Sequence, residues 1–328
     1  MDEANRKLVA DQLTTLLGGR GDVQAYINHY ETQPSQGILL EGTLTFQQAE
    51  LLTEAIIVRS GRPGLLIQNG SFQPSASWPE LAAVSPILIP SFASVGRIEM
   101  EVGNNVWSIG TGWVYNNHII TNRHVAAEFF QPSPVRAGKY VPKYRDSGRR
   151  ETNGTPVIAP LKAYIDFGGE AGSSESESRR FELKEPVYLP DETAADLAIL
   201  TVHSRSGTGA SLPRSLTLAT TPITAQQPIA VVGYPAEISD RNPDPQLLQA
   251  FFQGQIGVKR LQPGYTTAVS STQVQHDCTT TGGNSGSPLL DIRTGHVAGI
   301  HFGGNFMVNN RAVPVTELRR ILQELGLL

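Results

Sequence analysis

A glycine-rich turn around one serine is the feature that most constrains this chain. Residues 279–290 read Thr-Thr-Thr-Gly-Gly-Asn-Ser-Gly-Ser-Pro-Leu-Leu, with Ser285 near the centre. A serine hydroxyl is a good nucleophile only where a base takes its proton and fixed N–H groups receive the charge that develops on the substrate oxygen. Gly283 and Gly286 allow a sharp turn. We therefore expect an oxyanion-binding pocket in the Gly283, Asn284 and Ser285 segment, built from the N–H groups of Gly283 and Ser285.

The chain also contains a candidate base and a candidate carboxylate. His124 ends the segment Ile-Ile-Thr-Asn-Arg-His, and among the seven histidines it alone follows an apolar strand and a Thr-Asn pair. Asp196 opens the apolar segment Asp-Leu-Ala-Ile-Leu, whereas Asp191, five positions earlier, is the alternative in a more loop-like context. A nucleophilic serine needs a histidine base that a carboxylate orients. The sequence therefore predicts that His124, Asp196 and Ser285 converge in the fold.

These three segments, in this order, resemble the catalytic blocks of chymotrypsin-fold serine proteases. Val-Ala-Gly-Ile-His-Phe-Gly-Gly at 297–304 is similar to the substrate-binding strand of the bacterial glutamyl-endopeptidase branch, and Val-Val-Gly-Tyr-Pro at 231–235 resembles a core strand and turn of that branch. The resemblance covers residues 95–328. It implies a serine endopeptidase with a protein or peptide substrate, a mainly β double antiparallel barrel with a C-terminal helix, and no need for a metal or an organic cofactor.

The resemblance further implies a substrate-binding site formed by Thr280, His301, Phe302 and Gly303. Thr280 and His301 match the hydroxyl and the histidine with which the glutamyl branch binds an acidic side chain, and both groups can hydrogen-bond a carboxylate. Cleavage after Glu is the expectation, and a pocket of different preference is the alternative. Trypsin-type zymogens have an aspartate where this chain has Asn284, so their activating ion pair is not expected here.

Hydrophobic periodicity divides the chain into three parts. Residues 1–72 are predicted to form a small, mainly helical N-terminal domain, since one apolar helical stripe and one capping box occur there. Residues 73–94 contain prolines and serines without a sustained period and are predicted to be a linker. Alternation from residue 95 onward indicates strands, and a polar run at 168–180 indicates an exposed hairpin tip. The stripe that predicts the closing helix consists of Val315, Leu318, Ile321, Leu322 and Leu325.

The composition argues against several classes of function. A net charge of −4 and a pI near 6.0 give no basic face for nucleic acid. No run is long enough to span a bilayer, the N-terminus lacks the features of a signal peptide, and the single cysteine, Cys278, cannot form an intramolecular disulfide. We therefore expect a cytoplasmic protein without a membrane or nucleic-acid partner, and we expect Cys278 to be a buried, inert thiol.

The sequence leaves two alternatives to the serine endopeptidase. A catalytically idle protease fold used for binding normally lacks one of the three site residues, and all three are present here. A stress protease with chaperone activity is disfavoured because no peptide-binding domain follows the predicted barrel. The N-terminal segment is expected either to recruit a protein partner or to act as a removable inhibitor. His276 and Asp277 resemble a metal pair only superficially, because no second ligand cluster lies at a useful spacing.

Overall fold

The computed structural model describes residues 62–103, 105–173, 179–236, 252, 254–305 and 309–328. The helices predicted within residues 1–61 therefore lie outside the described residues. The described chain begins with a short hairpin and a helix, and their bounds are β1 (Leu65–Gln68), β2 (Ser71–Phe72) and α1 (Glu80–Phe92).

The first barrel is formed by six antiparallel strands. From residue 95 to residue 202 the elements are β3 (Val95–Val102), β4 (Asn105–Tyr115), β5 (His118–Thr121), α2 (Arg123–Ala127), β6 (Phe130–Pro132), β7 (Tyr140–Pro142), β8 (Tyr144–Arg150), β9 (Pro156–Pro160), β10 (Lys162–Asp166), β11 (Arg180–Tyr188) and β12 (Ala198–Val202). Strands β10, β11, β12, β5, β4 and β3 close the barrel in that order, while β6 with β7 and β8 with β9 form separate two-stranded sheets.

The second barrel closes in the same way. Its elements are β13 (Pro228–Gly233), β14 (Arg260–Val269), β15 (Val274–His276), β16 (Pro288–Asp291), β17 (Val297–Asn305) and β18 (Asn309–Pro314), followed by α3 (Val315–Glu324). The order is β13, β16, β17, β18, β15 and β14, and a further pairing of β13 with β14 closes the ring. The predicted mainly β double-barrel fold of the chymotrypsin type is confirmed.

The two barrels share their largest hydrophobic core. Trp113 and Ile120 of the first barrel and Val232 and Ile300 of the second are fully buried in one cluster, to which both long helices contribute. A second cluster fills the interior of the first barrel. Burial of apolar surface stabilises by about 25 cal/mol per Å², so this shared core fixes one barrel against the other. Residues that lie at the junction of the barrels are therefore held by both.

The described residues before residue 95 differ from two predictions: residues 65–72, assigned to the helical N-terminal domain, contain the strands β1 and β2, and the predicted linker at 73–94 contains helix α1. Strand β1 pairs with β14 of the second barrel, with Leu65 opposite Leu261. Helix α1 buries Leu81, Leu88 and Phe92 in the shared core. The prolines of this segment hid the helix in the sequence. Pro86 has no N–H to donate to the preceding turn, and the carbonyl of Ala82 there accepts the Ser85 hydroxyl instead, at 2.9 Å.

The start of the described chain is fastened to the strand that leads to Ser285. The Arg62 guanidinium binds the Asp277 carboxylate through two hydrogen bonds, of 3.0 and 2.9 Å. The Thr279 hydroxyl donates to the Arg62 carbonyl at 2.7 Å. A bidentate arginine–carboxylate pair is among the stronger polar contacts in proteins, so Arg62 is a fixed attachment point.

The polar run at 168–180 is only partly an exposed hairpin tip. Gly168, Glu170 and Ala171 are buried, and residues 174–178 lie outside the described chain. The Glu170 carboxylate accepts the backbone N–H of Gly70 at 2.7 Å and lies 3.4 Å from Lys259 Nζ. The prediction of exposure was wrong for these buried residues. Glu170 can be buried because the buried Lys259 neutralises its charge, and composition alone cannot show such a partner.

The predicted closing helix is confirmed as α3. Val315, Leu318, Ile321 and Leu322 are buried, as the stripe requires, whereas Leu325 follows the last helical residue and is 37% exposed. Among the described residues, no helix is both long and apolar enough to cross a bilayer.

Candidate active site

Strand pairing in the first barrel brings His124 to Asp196. Strands β5 and β12 are antiparallel, with Thr121 opposite Ala198, so the residues that follow β5 lie beside those that precede β12. His124 Nδ1 is 2.6 Å from Asp196 Oδ2, and the His124 backbone N–H donates to Asp196 Oδ1 at 3.0 Å. The Asn122 amide donates to the Asp196 carbonyl at 2.8 Å. Three contacts therefore set the position of the carboxylate and the imidazole relative to each other.

Asp196 is held as a carboxylate. Burial opposes ionisation, but the hydrogen bonds and charge of His124, together with the charge of Arg123, outweigh it, and the pKa of Asp196 lies below its usual value. Arg123 Nε is 3.9 Å from Asp196 Oδ1. Asp191, the alternative in the sequence, is exposed and accepts hydrogen bonds from Thr193. The structure therefore assigns the contact with His124 to Asp196.

The Ser285 turn has the shape that its glycines predict. Gly283 and Gly286 adopt φ of 87° and 90°, the left-handed region that favours glycine. A β-carbon at Gly283 would collide with the carbonyl of Tyr234, and one at Gly286 would collide with the carbonyl of Thr111. The N–H groups of Gly283 and Ser285 donate to no acceptor among the described residues. Two donors are thus available at the turn that carries the serine.

Hydrogen bonds from both barrels hold this turn. The Thr111 N–H in β4 donates to the Ser285 carbonyl at 2.8 Å, and the Thr111 hydroxyl donates to the Gly283 carbonyl at 2.7 Å. Asn284 is fully buried: its Oδ1 accepts the Gln262 amide at 2.7 Å, and its Nδ2 donates to the Thr281 carbonyl at 3.0 Å. The turn is therefore fixed by neutral partners, without the ion pair of trypsin-type zymogens.

Ser285 and the helix that carries His124 both lie beside Gly110 of strand β4. A β-carbon at Gly110 would contact both the Val125 side chain in α2 and the Ser285 carbonyl. Ser285 is 4% exposed, and the His124 side chain is 36% exposed. Within the part of the chain that the structure describes, no hydrogen bond engages the Ser285 hydroxyl. Catalytic hydrogen bonds are often formed only when substrate binds.

His301 lies beside the same turn. Its backbone N–H donates to the Ser287 carbonyl at 2.9 Å, and its carbonyl accepts the Gly286 N–H at 2.8 Å. Burial lowers the pKa of His301 well below its usual value, and electrostatic interactions with His276, His124 and Arg311 lower it further. His301 is thus a neutral imidazole close to the His124 and Asp196 pair.

His276, which the sequence analysis set aside, is the partner of His301. His276 Nε2 and His301 Nδ1 are 3.1 Å apart, and the rings meet edge to face at 67°. Burial lowers the pKa of His276 to about 3. No spacing in the sequence predicts this pair, because β15 and β17 come together only through β18.

Thr280 is also buried, and its hydroxyl has no hydrogen-bond partner among the described residues.

Phe302 and Gly303 lie on a strand edge next to the site. Strand β17 pairs with β16 as far as Ile300, and beyond that residue the described chain pairs it with β18 alone. The backbone of Phe302 and Gly303 therefore has one side without a partner strand among the described residues, and an extended peptide can pair with such an edge. Cys278 is buried, and burial raises the pKa of its thiol well above the usual value, as the sequence predicted.

No group of three or more His, Cys, Asp or Glu side chains that could hold a metal ion occurs among the described residues.

Comparison with known proteins gives one match to a family. A sequence profile of the trypsin-like peptidase domain matches residues 110–300, which include His124, Asp196 and Ser285. No curated protein sequence matches the chain. Among solved structures, an inactive-form serine-to-alanine mutant of Rv3671c from M. tuberculosis H37Rv is 20% identical, with a TM-score of 0.45, and the alignment covers 77% of this chain and 98% of that one. A second inactive structure of the Rv3671c protease is 20% identical, with a TM-score of 0.43, covering 76% and 96%. Because the profile spans more than half of the sequence, the chain belongs to the trypsin-like peptidase domain family.

Proposed function

We propose that the protein is a serine endopeptidase in which Ser285 is the nucleophile, His124 the general base and Asp196 the residue that orients His124. One observation carries the proposal: a hydrogen-bonded imidazole–carboxylate pair and a serine turn, whose two N–H donors have no acceptor among the described residues, pack beside the same residue of β4. This combination supplies a base, a nucleophile and a site for an oxyanion. The peptidase family is compatible with each role.

The chemistry follows from these positions. Ser285 Oγ attacks the carbonyl carbon of the peptide while its proton passes to His124 Nε2, and the N–H groups of Gly283 and Ser285 receive the oxyanion. His124 then gives the proton to the amine as the C–N bond breaks, which leaves an acyl ester on Ser285. A water molecule attacks the ester by the same route in reverse. Asp196, held as a carboxylate, stabilises the imidazolium in both halves of the cycle.

Labelling with a fluorophosphonate tests the nucleophile. We expect covalent modification of Ser285 in the full chain, no modification in Ser285→Ala, and labelling slower by orders of magnitude in Asp196→Asn. The reagent reacts only with an activated serine. Folded protein that does not react would favour the catalytically idle binding function, which the intact His124 and Asp196 contact argues against.

We further propose that the enzyme prefers Glu before the cut, with Thr280 and His301 as the groups that bind the substrate carboxylate. The Nδ1 atom of His301 is occupied by His276, so Nε2 is the ring atom left for a ligand. The Thr280 hydroxyl is buried without a partner among the described residues, and such a group gains free energy when a ligand supplies one. A neutral imidazole can donate one hydrogen bond to a carboxylate.

A peptide-library digest with mass-spectrometric mapping of the cut sites tests this preference. We expect Glu to be enriched before the cut for the wild type and lost in His301→Ala, while cleavage of other peptides continues. His203→Ala, at an exposed histidine in the first barrel, is the matched control. A wild-type profile without acidic enrichment before the cut contradicts the assignment of Thr280 and His301. A stress protease with chaperone activity would instead cut unfolded proteins with a broad preference.

A further inference from the structure

Arg311 lies on the opposite face of the substrate-binding strands from His301. His301 in β17 is paired with Ala312 in β18, and Ala312 is fully buried in the barrel interior. Arg311 is the preceding residue and is paired with Gly303 on one side and with Gln275 on the other. Side chains alternate between the two faces of a strand. His301 and Arg311 therefore serve opposite faces of the same pair of strands.

The positive charge of Arg311 has no anionic partner among the described residues. Its guanidinium makes no ion pair and no hydrogen bond to any described residue, and its Nε is fully buried. The guanidinium stands 5.3 Å from the centre of the Phe302 ring. Burial lowers the pKa of Arg311 from its usual value. A partly buried charge without a counterion is costly, whereas Arg97 and Arg180 in the first barrel both contact carboxylates.

The Arg311 charge lies close to the proposed reaction centre. It contributes to the lowered pKa of His301, and the charge of the Asp196 carboxylate raises the pKa of Arg311. A β-carbon at Gly303, which is paired with Arg311, would have no atom of the described residues within 4 Å. A peptide that adds to the open edge of β17 lies two strand spacings, about 10 Å, from β18. The long arginine and glutamate side chains can span this distance over Phe302.

We propose that Arg311 is a second specificity-determining residue, which binds an acidic side chain at the second or fourth residue counted back from the cut. The inference rests on the proposed endopeptidase function and on β-strand addition to β17. In an extended peptide, alternate side chains point to opposite faces. If the residue before the cut points to the His301 face, the second and fourth residues point to the Arg311 face. A carboxylate there supplies the counterion that Arg311 lacks.

The test uses the full chain and a series of quenched fluorescent peptides with Glu before the cut. A further Glu, or an isosteric Gln, is placed at the second, third or fourth residue. We expect the wild type to favour Glu over Gln about tenfold or more at the second or fourth residue, through a lower KM. Arg311→Gln should remove that ratio by slowing cleavage of the Glu peptides more than cleavage of the Gln peptides, and Arg311→Lys should retain part of it. Arg293→Gln removes an exposed arginine and should behave as the wild type.

Three outcomes overturn the proposal. Equal losses on Glu and Gln peptides in Arg311→Gln would mean that Arg311 acts through Asp196 or through the fold. An acidic preference at the third residue, or none at these positions in an enzyme that fluorophosphonate labels at Ser285, would reject this subsite alone. If the wild type is neither labelled nor active on any peptide, the endopeptidase function fails, and the subsite that depends on it fails too.

Discussion

The proposed catalytic pair in the first barrel and the proposed substrate-binding groups in the second differ in their hydrogen bonding. In the first barrel, Arg97 and Arg180 share the Glu99 carboxylate at 2.7 and 2.8 Å, and His124 binds Asp196 through two contacts. In the second barrel, polar atoms of Thr280, His276 and Arg311 near the site are buried without partners among the described residues. The first barrel thus has the proposed catalytic pair, His124 and Asp196, assembled before substrate arrives.

The difference indicates a division of labour. Groups that must be aligned for proton transfer are fixed by their neighbours in advance, which lowers the cost of reaching the transition state. Groups that select a substrate are left with hydrogen-bonding capacity that a ligand can fill, and a wrong ligand leaves them unpaired. Changes in the first barrel should therefore affect kcat, while changes near His301 and Arg311 should affect the choice of substrate.

The largest effect is expected for Asp196→Asn. An amide cannot stabilise the imidazolium or hold the required tautomer, so kcat should fall by about 10⁴ with KM little changed. Steady-state kinetics on one Glu peptide measure both constants. Asp191→Asn, at the exposed alternative aspartate, is the control and should retain wild-type kcat. Comparable losses in both variants would remove the claim that Asp196 alone orients His124.

A smaller loss is expected for Gly283→Ala, which tests whether the turn in the second barrel is also fixed in advance. The added methyl group meets the Tyr234 carbonyl and requires a left-handed backbone, so the N–H donors should shift and kcat should fall by about 10² to 10³. Gly207→Ala, where a β-carbon has open space, is the control. A folded Gly283→Ala enzyme with normal kcat would show that this N–H group does not bind the oxyanion.

The smallest effect, on stability, concerns the buried histidine pair. His276 has a pKa of about 3 when folded and about 6.5 when unfolded, so the unfolded chain binds more protons between these values and stability declines as the pH falls. From pH 7 to pH 5 the free energy of unfolding should drop by about 2 kcal/mol from this residue. Urea unfolding of the Ser285→Ala protein, which cannot digest itself, measures it.

The matched variants separate His276 from other titrating groups. His276→Gln in the Ser285→Ala background should flatten the decline, because the amide does not titrate, while His203→Gln at an exposed position should leave it unchanged. An identical decline in all three proteins would mean that acid acts elsewhere in the molecule, and the contrast between the barrels would lose its support from stability.

The sequence predicted what local patterns record. Alternation revealed the strands, the apolar stripe revealed α3, and the glycine spacing revealed the turn at Ser285. Helix α1 was missed because prolines are unusual inside a helix. The hydroxyl of Ser85, which satisfies the Ala82 carbonyl that Pro86 cannot, is visible only in the structure. His276 was missed because its contact with His301 depends on strand register: β15 and β17 meet only through β18, and no local spacing records that meeting. Arg311 was not singled out because its lack of a carboxylate partner among the described residues is visible only in the structure.

The attachment of Arg62 has a consequence for how such a protein could be matured by proteolysis. Residues 62 to 94 supply an outer strand, a buried helix and a salt link to the segment that leads to the nucleophile. A cleavage inside this stretch would expose apolar side chains of the shared core. It would also separate Arg62 from the rest of the segment, so that the segment leading to Ser285 would lose its ion pair at Asp277. Any proteolytic processing that leaves an active enzyme should therefore cut upstream of Arg62, so that the shortened chain keeps the Arg62–Asp277 ion pair.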